Sequence, residues 1–295
     1  MSVRCAPQYD PRMIAQLASM DEAKLHKIQQ VVKWTVYTLL IVNFVYYVLE
    51  DWNRATHVLT SSSTFLDWTS EFANSIDESA WFILLFMFEL ETYVLDDEKL
   101  KGWIAHTVHG VRLACYVMLT HTIFAYSVSV IDYMSTVEVE RVSSLCDMVD
   151  DGVSYVHNLE YTEVNEQTCA NLASADKYYW VASDPVVTDL ESLNLERDLA
   201  WVDLAEAVIW LLILLAIEVI VRMQSHGVTG SALISTLNRV KMILYLILIT
   251  FGVYWATLSH WLYLWDELLW IGGFAAIEMN VSEWREELIE KEQPA

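Results

Sequence analysis

The chain has 295 residues, 55% of them hydrophobic, and a mean hydropathy of +0.31, which is high for a soluble domain. Its formal net charge is −23, which argues against nucleic acid as a partner. Stretches this apolar point to the membrane class, where about 20 helical residues cross a hydrocarbon core of about 30 Å.

Residues 1–30 are polar, and the first apolar run is too long for the core of a signal peptide, so no leader is expected. Apolar stretches follow at 31–50, 80–98, 110–133, 203–224, 239–260 and 266–284. Backbone groups in lipid must be satisfied within the element, so all six are predicted to be helices. Carboxylates interrupt the second and sixth. The expected fold is an all-α polytopic membrane protein with six transmembrane helices and a small disulfide-bonded outer domain.

Lys and Arg set the orientation. With the N-terminus inside, thirteen cations fall on the inner face or inner helix ends. Only Arg54, Arg141, Lys177 and Arg197 fall outside. That bias places both termini in the cytoplasm of a cell protein of the plasma membrane. Residues 136–200 hold fourteen Asp and Glu against three cations, about −11 in all. This segment is too long for a simple connection and reads as an acidic cap that concentrates cations. Cys146 and Cys169 both lie in it, and an oxidising outer compartment favours a disulfide between them. Cys5, inside, and Cys115, within a span, are expected to stay reduced.

The even spans share one pattern. Trp81–Glu89 reads "WFILLFMFE", Trp210–Glu218 reads "WLLILLAIE", and Trp270–Glu278 reads "WIGGFAAIE". An acid stands four residues before each Trp: Asp77, Glu206 and Asp266. The odd spans share another pattern, a cation followed by Tyr four residues on: Lys33 and Tyr37, Arg112 and Tyr116, Lys241 and Tyr245. Fourteen residues after each cation comes Tyr47, Tyr126 or Trp255. Offsets of 4 and 14 stay within roughly 40° of one helix face. The chain therefore reads as three parallel two-helix repeats. The expected layout is a cytoplasmic segment (1–30), a first hairpin (31–98), an inner loop and third span (99–135) and the cap (136–200). A fourth span (201–224), an inner loop with the third hairpin (225–284) and a cytoplasmic tail (285–295) complete it.

Eight residues from Trp to Glu is about 12 Å of helix. Tryptophans near the outer interface would set Glu89, Glu218 and Glu278 at one level, at or below mid-depth. An intramembrane carboxylate needs a partner, a proton or water. Two readings follow. In one, the three glutamates form a ring that binds or conducts small cations or protons. In the other, they form structural ion pairs with Lys33, Arg112 and Lys241 in an accessory or scaffold subunit. Lipid is the expected surroundings, and a homo-oligomer or larger membrane complex fits either reading. No zinc-type cysteine spacing, HExxH or phosphate-binding glycine loop is visible. No enzyme activity or cofactor is expected.

Overall fold

The computed structural model describes residues 11–90, 102–182, 184–225, 228 and 231–274; the side chains of 11–29, 88, 89, 224 and 225 lie outside that description. The chain is mostly helical. Four helices are long and apolar enough to cross a membrane: Gln30–Val58, Trp103–Met134, Leu190–Met223 and Ala232–Thr257. They contain the expected first, third and fourth spans but for short ends, and most of the fifth. The second and sixth run into residues 91–98 and 275–284, outside the described residues.

Helix α1 spans Pro11–Val58 and begins within the polar N-terminal segment. The polarity of residues 11–30 does not interrupt the helix. The run "DEAKLHKIQQ" consists largely of good helix formers, and Pro suits a first helical position, whose N–H has no helical partner. The turn after α1 ends at Thr64, whose side chain accepts from Asp67 N while Asp67 accepts from Thr64 N. This reciprocal cap starts the short α2 (Phe65–Glu71). Helix α3 (Ala73–Glu89) has no cap from its own preceding residue. Asp51 of α1 supplies one instead, accepting from Ser75 N at 2.8 Å, Ser75 Oγ at 2.7 Å and Asn74 Nδ2 at 3.2 Å.

Helix α4 (Trp103–Met134) leads into the cap. The cap contains β1 (Val137–Glu138), β2 (Ser154–His157), β3 (Glu160–Glu163), α5 (Cys169–Leu172), β4 (Tyr178–Trp180) and β5 (Val186–Asp189). The strands form one sheet in the order β1-β4-β5-β2-β3, with β2 and β5 parallel and the other pairs antiparallel. This corrects the all-α expectation. Short runs rich in Val, Tyr and Thr between turns are strand formers, and the acidic charge around them obscured that pattern. Cys146 and Cys169 are disulfide-bonded, 23 residues apart. Beside them Leu145, Met148, Val153, Tyr155, Val164, Tyr178 and Val187 pack into a core.

Helix α6 (Leu190–Ser225) returns from the cap, α7 (Ala232–Thr257) follows, and residues 261–274 form α8. Helix α4 packs against both α3 and α6, and α6 packs against α7. A Cβ at Gly252 would meet Leu264 Cδ1 at 2.9 Å and its Cα at 3.2 Å, so the missing side chain admits α8 against α7.

The chain divides into two compact units, Met1–Asn43 with Trp265–Ala295, and Phe44–Leu264. In the first, Asn43 Nδ2 donates to Asp266 Oδ1 at 2.8 Å, and both residues are buried. In the second, the cap sits on the ends of three helices. Val58 of α1, Val130 and Tyr133 of α4, and Leu193 and Ala200 of α6 share an apolar cluster with Val156, Val181 and Val186 of the cap. Away from these contacts Leu49, Val117, Leu215 and Leu246 present large apolar side chains outward.

Candidate functional site

Glu196 and Asp203 are seven residues apart on α6. That spacing puts them within about 20° of one face and about 10 Å apart along the axis. Both line a partly open cavity of about 90 Å³ beneath the cap. Arg54 of α1, Glu71 of α2, Tyr126, Asp132 and Tyr133 of α4, and Tyr161 and Asp184 of the cap also stand in its wall. Space on this scale admits several water-sized groups. Five carboxylates face one guanidinium.

That guanidinium is already engaged. Arg54 Nε donates to Glu71 Oε2 at 2.8 Å and Nη2 donates to the Glu71 carbonyl oxygen at 2.6 Å, with Asp51 Oδ1 at 3.8 Å from Nη2. Among the described residues Asp132, Asp184, Glu196 and Asp203 have no salt-bridge partner. Burial, followed by the charges of Glu71, Asp132 and Asp67, pushes the Asp184 carboxyl up to about 7. Nearby Asp189 behaves oppositely. Burial raises it, but the Tyr155 hydroxyl and the Ser192 and Glu191 amides outweigh that and hold it below the usual carboxylate range.

Glu196 is fully buried. Its Oε1 accepts from Leu159 N at 3.1 Å, while Oε2 has no hydrogen-bond partner. Leu159 also lines the cavity and occupies the left-handed region at φ 62° in the tight β2–β3 turn. Such a conformation is costly for a branched side chain and persists where its surroundings hold it. Here the Glu196 carboxylate grips its amide, and the preceding Asn158 donates from Nδ2 to Leu258 O at 3.0 Å.

Below the cavity α6 carries Trp210, seven residues beyond Asp203. Its ring packs edge-on against Trp81 at 5.6 Å and against Tyr245 at 6.2 Å. Two of the three repeated tryptophans and one repeated tyrosine thus meet. Glu218 lies a further eight residues on. Its Oε2 accepts from Tyr116 OH at 3.3 Å, and its Oε1 accepts from Arg222 Nε at 3.1 Å, with Arg222 Nη2 at 3.0 Å. A cation at Glu218 is therefore Arg222, one turn along its own helix. Arg112 is half-buried on α4, and Lys241 is buried on α7. Lys33 of α1 stands 5.7 Å from the centre of the Tyr37 ring. Glu89 closes α3 with its side chain outside the described set, and Glu278 lies outside the described residues. The acids before the tryptophans all accept hydrogen bonds: Asp77 from Trp81 Nε1, Glu206 from Trp255 Nε1, and Asp266 from Asn43 Nδ2.

Sequence reading missed Arg54, Glu71, Tyr161, Asp184, Glu196 and Asp203 as a group. The seven-residue spacing of Glu196 and Asp203 was available, as was the four-residue spacing of Glu218 and Arg222. The joining of α1, α2, α4, α6 and the cap around one space was not. No protein-family model matches the chain, and neither a curated protein nor a solved structure is significantly similar to it.

Proposed function

We infer that the chain is an integral membrane protein that binds or conducts small cations or protons. The observation that carries this reading is the cavity beneath the cap, with five carboxylates to a single, already paired arginine. Such a space favours positive charge, and the acidic cap raises its concentration outside. In this reading the cavity is the outer vestibule, the Trp81–Trp210–Tyr245 cluster is a constriction, and Glu218 belongs to an inner carboxylate level with Glu89 and Glu278. The three-hairpin repeat with six spans, the plasma membrane and cytoplasmic termini complete the proposal. The outward apolar side chains of the long helices support a lipid surrounding, since monomeric soluble proteins rarely expose large contiguous apolar surface.

One observation favours the rival reading of an accessory or scaffold subunit: Glu218 is held by Arg222 and Tyr116. Purified protein in liposomes, with internal dyes for pH and for potassium, separates the two. Protein-dependent flux of either ion supports conduction. No flux of either ion over empty liposomes removes it and leaves the scaffold.

A further inference from the structure

We propose that the cavity beneath the cap is a binding site for a small primary ammonium ion, seated between Glu196, Asp203 and the ring of Tyr161. The inference rests on reading the cavity as a cation site and names the chemical class of its ligand. Two independent features point to a ligand there. Asp132, Asp184 and Asp203 line the space without a salt-bridge partner among the described residues. Glu196, fully buried, leaves Oε2 without a donor, which a buried carboxylate oxygen rarely tolerates. A donor is therefore what that oxygen lacks.

The placement of the carboxylates selects the kind of cation. Among the described residues no three Asp, Glu, His or Cys side chains are arranged to hold a metal ion. A bare divalent ion needs several oxygens at about 2.0–2.6 Å. Dispersed carboxylates instead suit a cation that brings its own N–H groups and reaches one acceptor with each. An alkylammonium has three such donors and a volume suited to about 90 Å³. The aromatic wall agrees. Tyr126, Tyr133 and Tyr161 line the cavity, with the Tyr133 and Tyr161 hydroxyls 3.4 Å apart. Tyrosine rings attract ammonium through their faces, and their hydroxyls accept N–H bonds. Arg54 does not repel the guest strongly, because Glu71 and Asp51 already balance it.

The test is calorimetric titration of the full chain in detergent micelles at constant ionic strength. The probes are methylammonium, tetramethylammonium and calcium. Methylammonium is expected to bind saturably. Tetramethylammonium, which has no N–H donor, is expected to bind at least tenfold more weakly. Glu196→Gln and Asp203→Asn should each weaken methylammonium at least tenfold; the second variant carries the test if the first does not fold. No saturable methylammonium binding, equal binding of tetramethylammonium, or calcium binding that displaces methylammonium overturns the proposal. Unchanged affinity in a folded variant overturns it too. Methylammonium binding without ion flux in liposomes leaves this site standing and removes conduction. Potassium or proton flux without methylammonium binding does the reverse.

Discussion

Arg54 holds Glu71 through two donors at once, Nε on the carboxylate at 2.8 Å and Nη2 on the backbone oxygen at 2.6 Å. The fork ties α1 to the end of α2 beside the cavity. Only a planar guanidinium makes both bonds in this geometry.

Arg54→Met would leave Glu71 and Asp51 without their cation. Removing one partner of a buried pair costs about 3–5 kcal/mol. Both side chains keep some exposure, 26% for Arg54 and 21% for Glu71, so the lower end, about 3 kcal/mol, is expected. Arg54→Lys should lie between, keeping the charge but not the fork. Thermal unfolding in detergent measures the series; a methionine variant as stable as the parent would show that the pair contributes nothing.

The Cys146–Cys169 bridge closes a loop with a sequence separation of 23. In the chain-entropy model such a loop stabilises by about 3 kcal/mol. Its partners are in the cap core, so the loss should be local. Cys146→Ser with Cys169→Ser is expected to speed proteolysis of residues 136–189 while the four long helices keep their far-UV circular dichroism. Equal proteolysis rates in the two forms would show that the cap does not depend on the bridge.

Asp184 gives the cap a dependence on pH. Its folded pKa, about 7, lies above an ordinary Asp value of about 4. Between those values the folded state binds more protons than the unfolded state, so stability falls as pH rises through that window. Below about 4 the group is protonated in both states, and above about 7 it is ionised in both. Asp184→Asn cannot ionise. It should match the parent near pH 4 and exceed it in melting temperature at pH 8. A difference that stays constant with pH would remove Asp184 as the cause.

Four of the six expected spans fall on helices long and apolar enough to cross a membrane, because long apolar runs stand out in a sequence. The disulfide was legible because two cysteines fell in one long acidic segment between apolar runs. The sheet was not, since its strands are two to four residues long and too short for alternation to stand out. The start of the first apolar run was legible too, and the helix that carries it begins earlier, at Pro11, because a helix needs no break where polarity changes. The Glu218–Arg222 pair has the four-residue spacing that joins one turn to the next and was passed over. The cavity was the least legible feature. Glu71, Glu196 and Tyr161 are far apart in sequence, and only the docking of the cap on three helix ends brings them together.

Glu218 separates the two readings of the protein. Its partner Arg222 is 74% exposed, and the pair spans one helical turn. Exposed pairs at that spacing contribute about 0.3–0.5 kcal/mol. Glu218→Gln keeps the side-chain shape and an acceptor for Tyr116, so the melting temperature should stay close to that of the parent. Its effect on flux can then be read without a folding defect. If Glu218 lies on the cation path, losing its charge should lower potassium or proton flux severalfold in liposomes. Arg222→Gln, which frees the carboxylate, should leave flux equal or raise it. Unchanged flux in a folded Glu218→Gln protein would take this carboxylate off the path and return it to the structural role that its bonds to Arg222 and Tyr116 already describe.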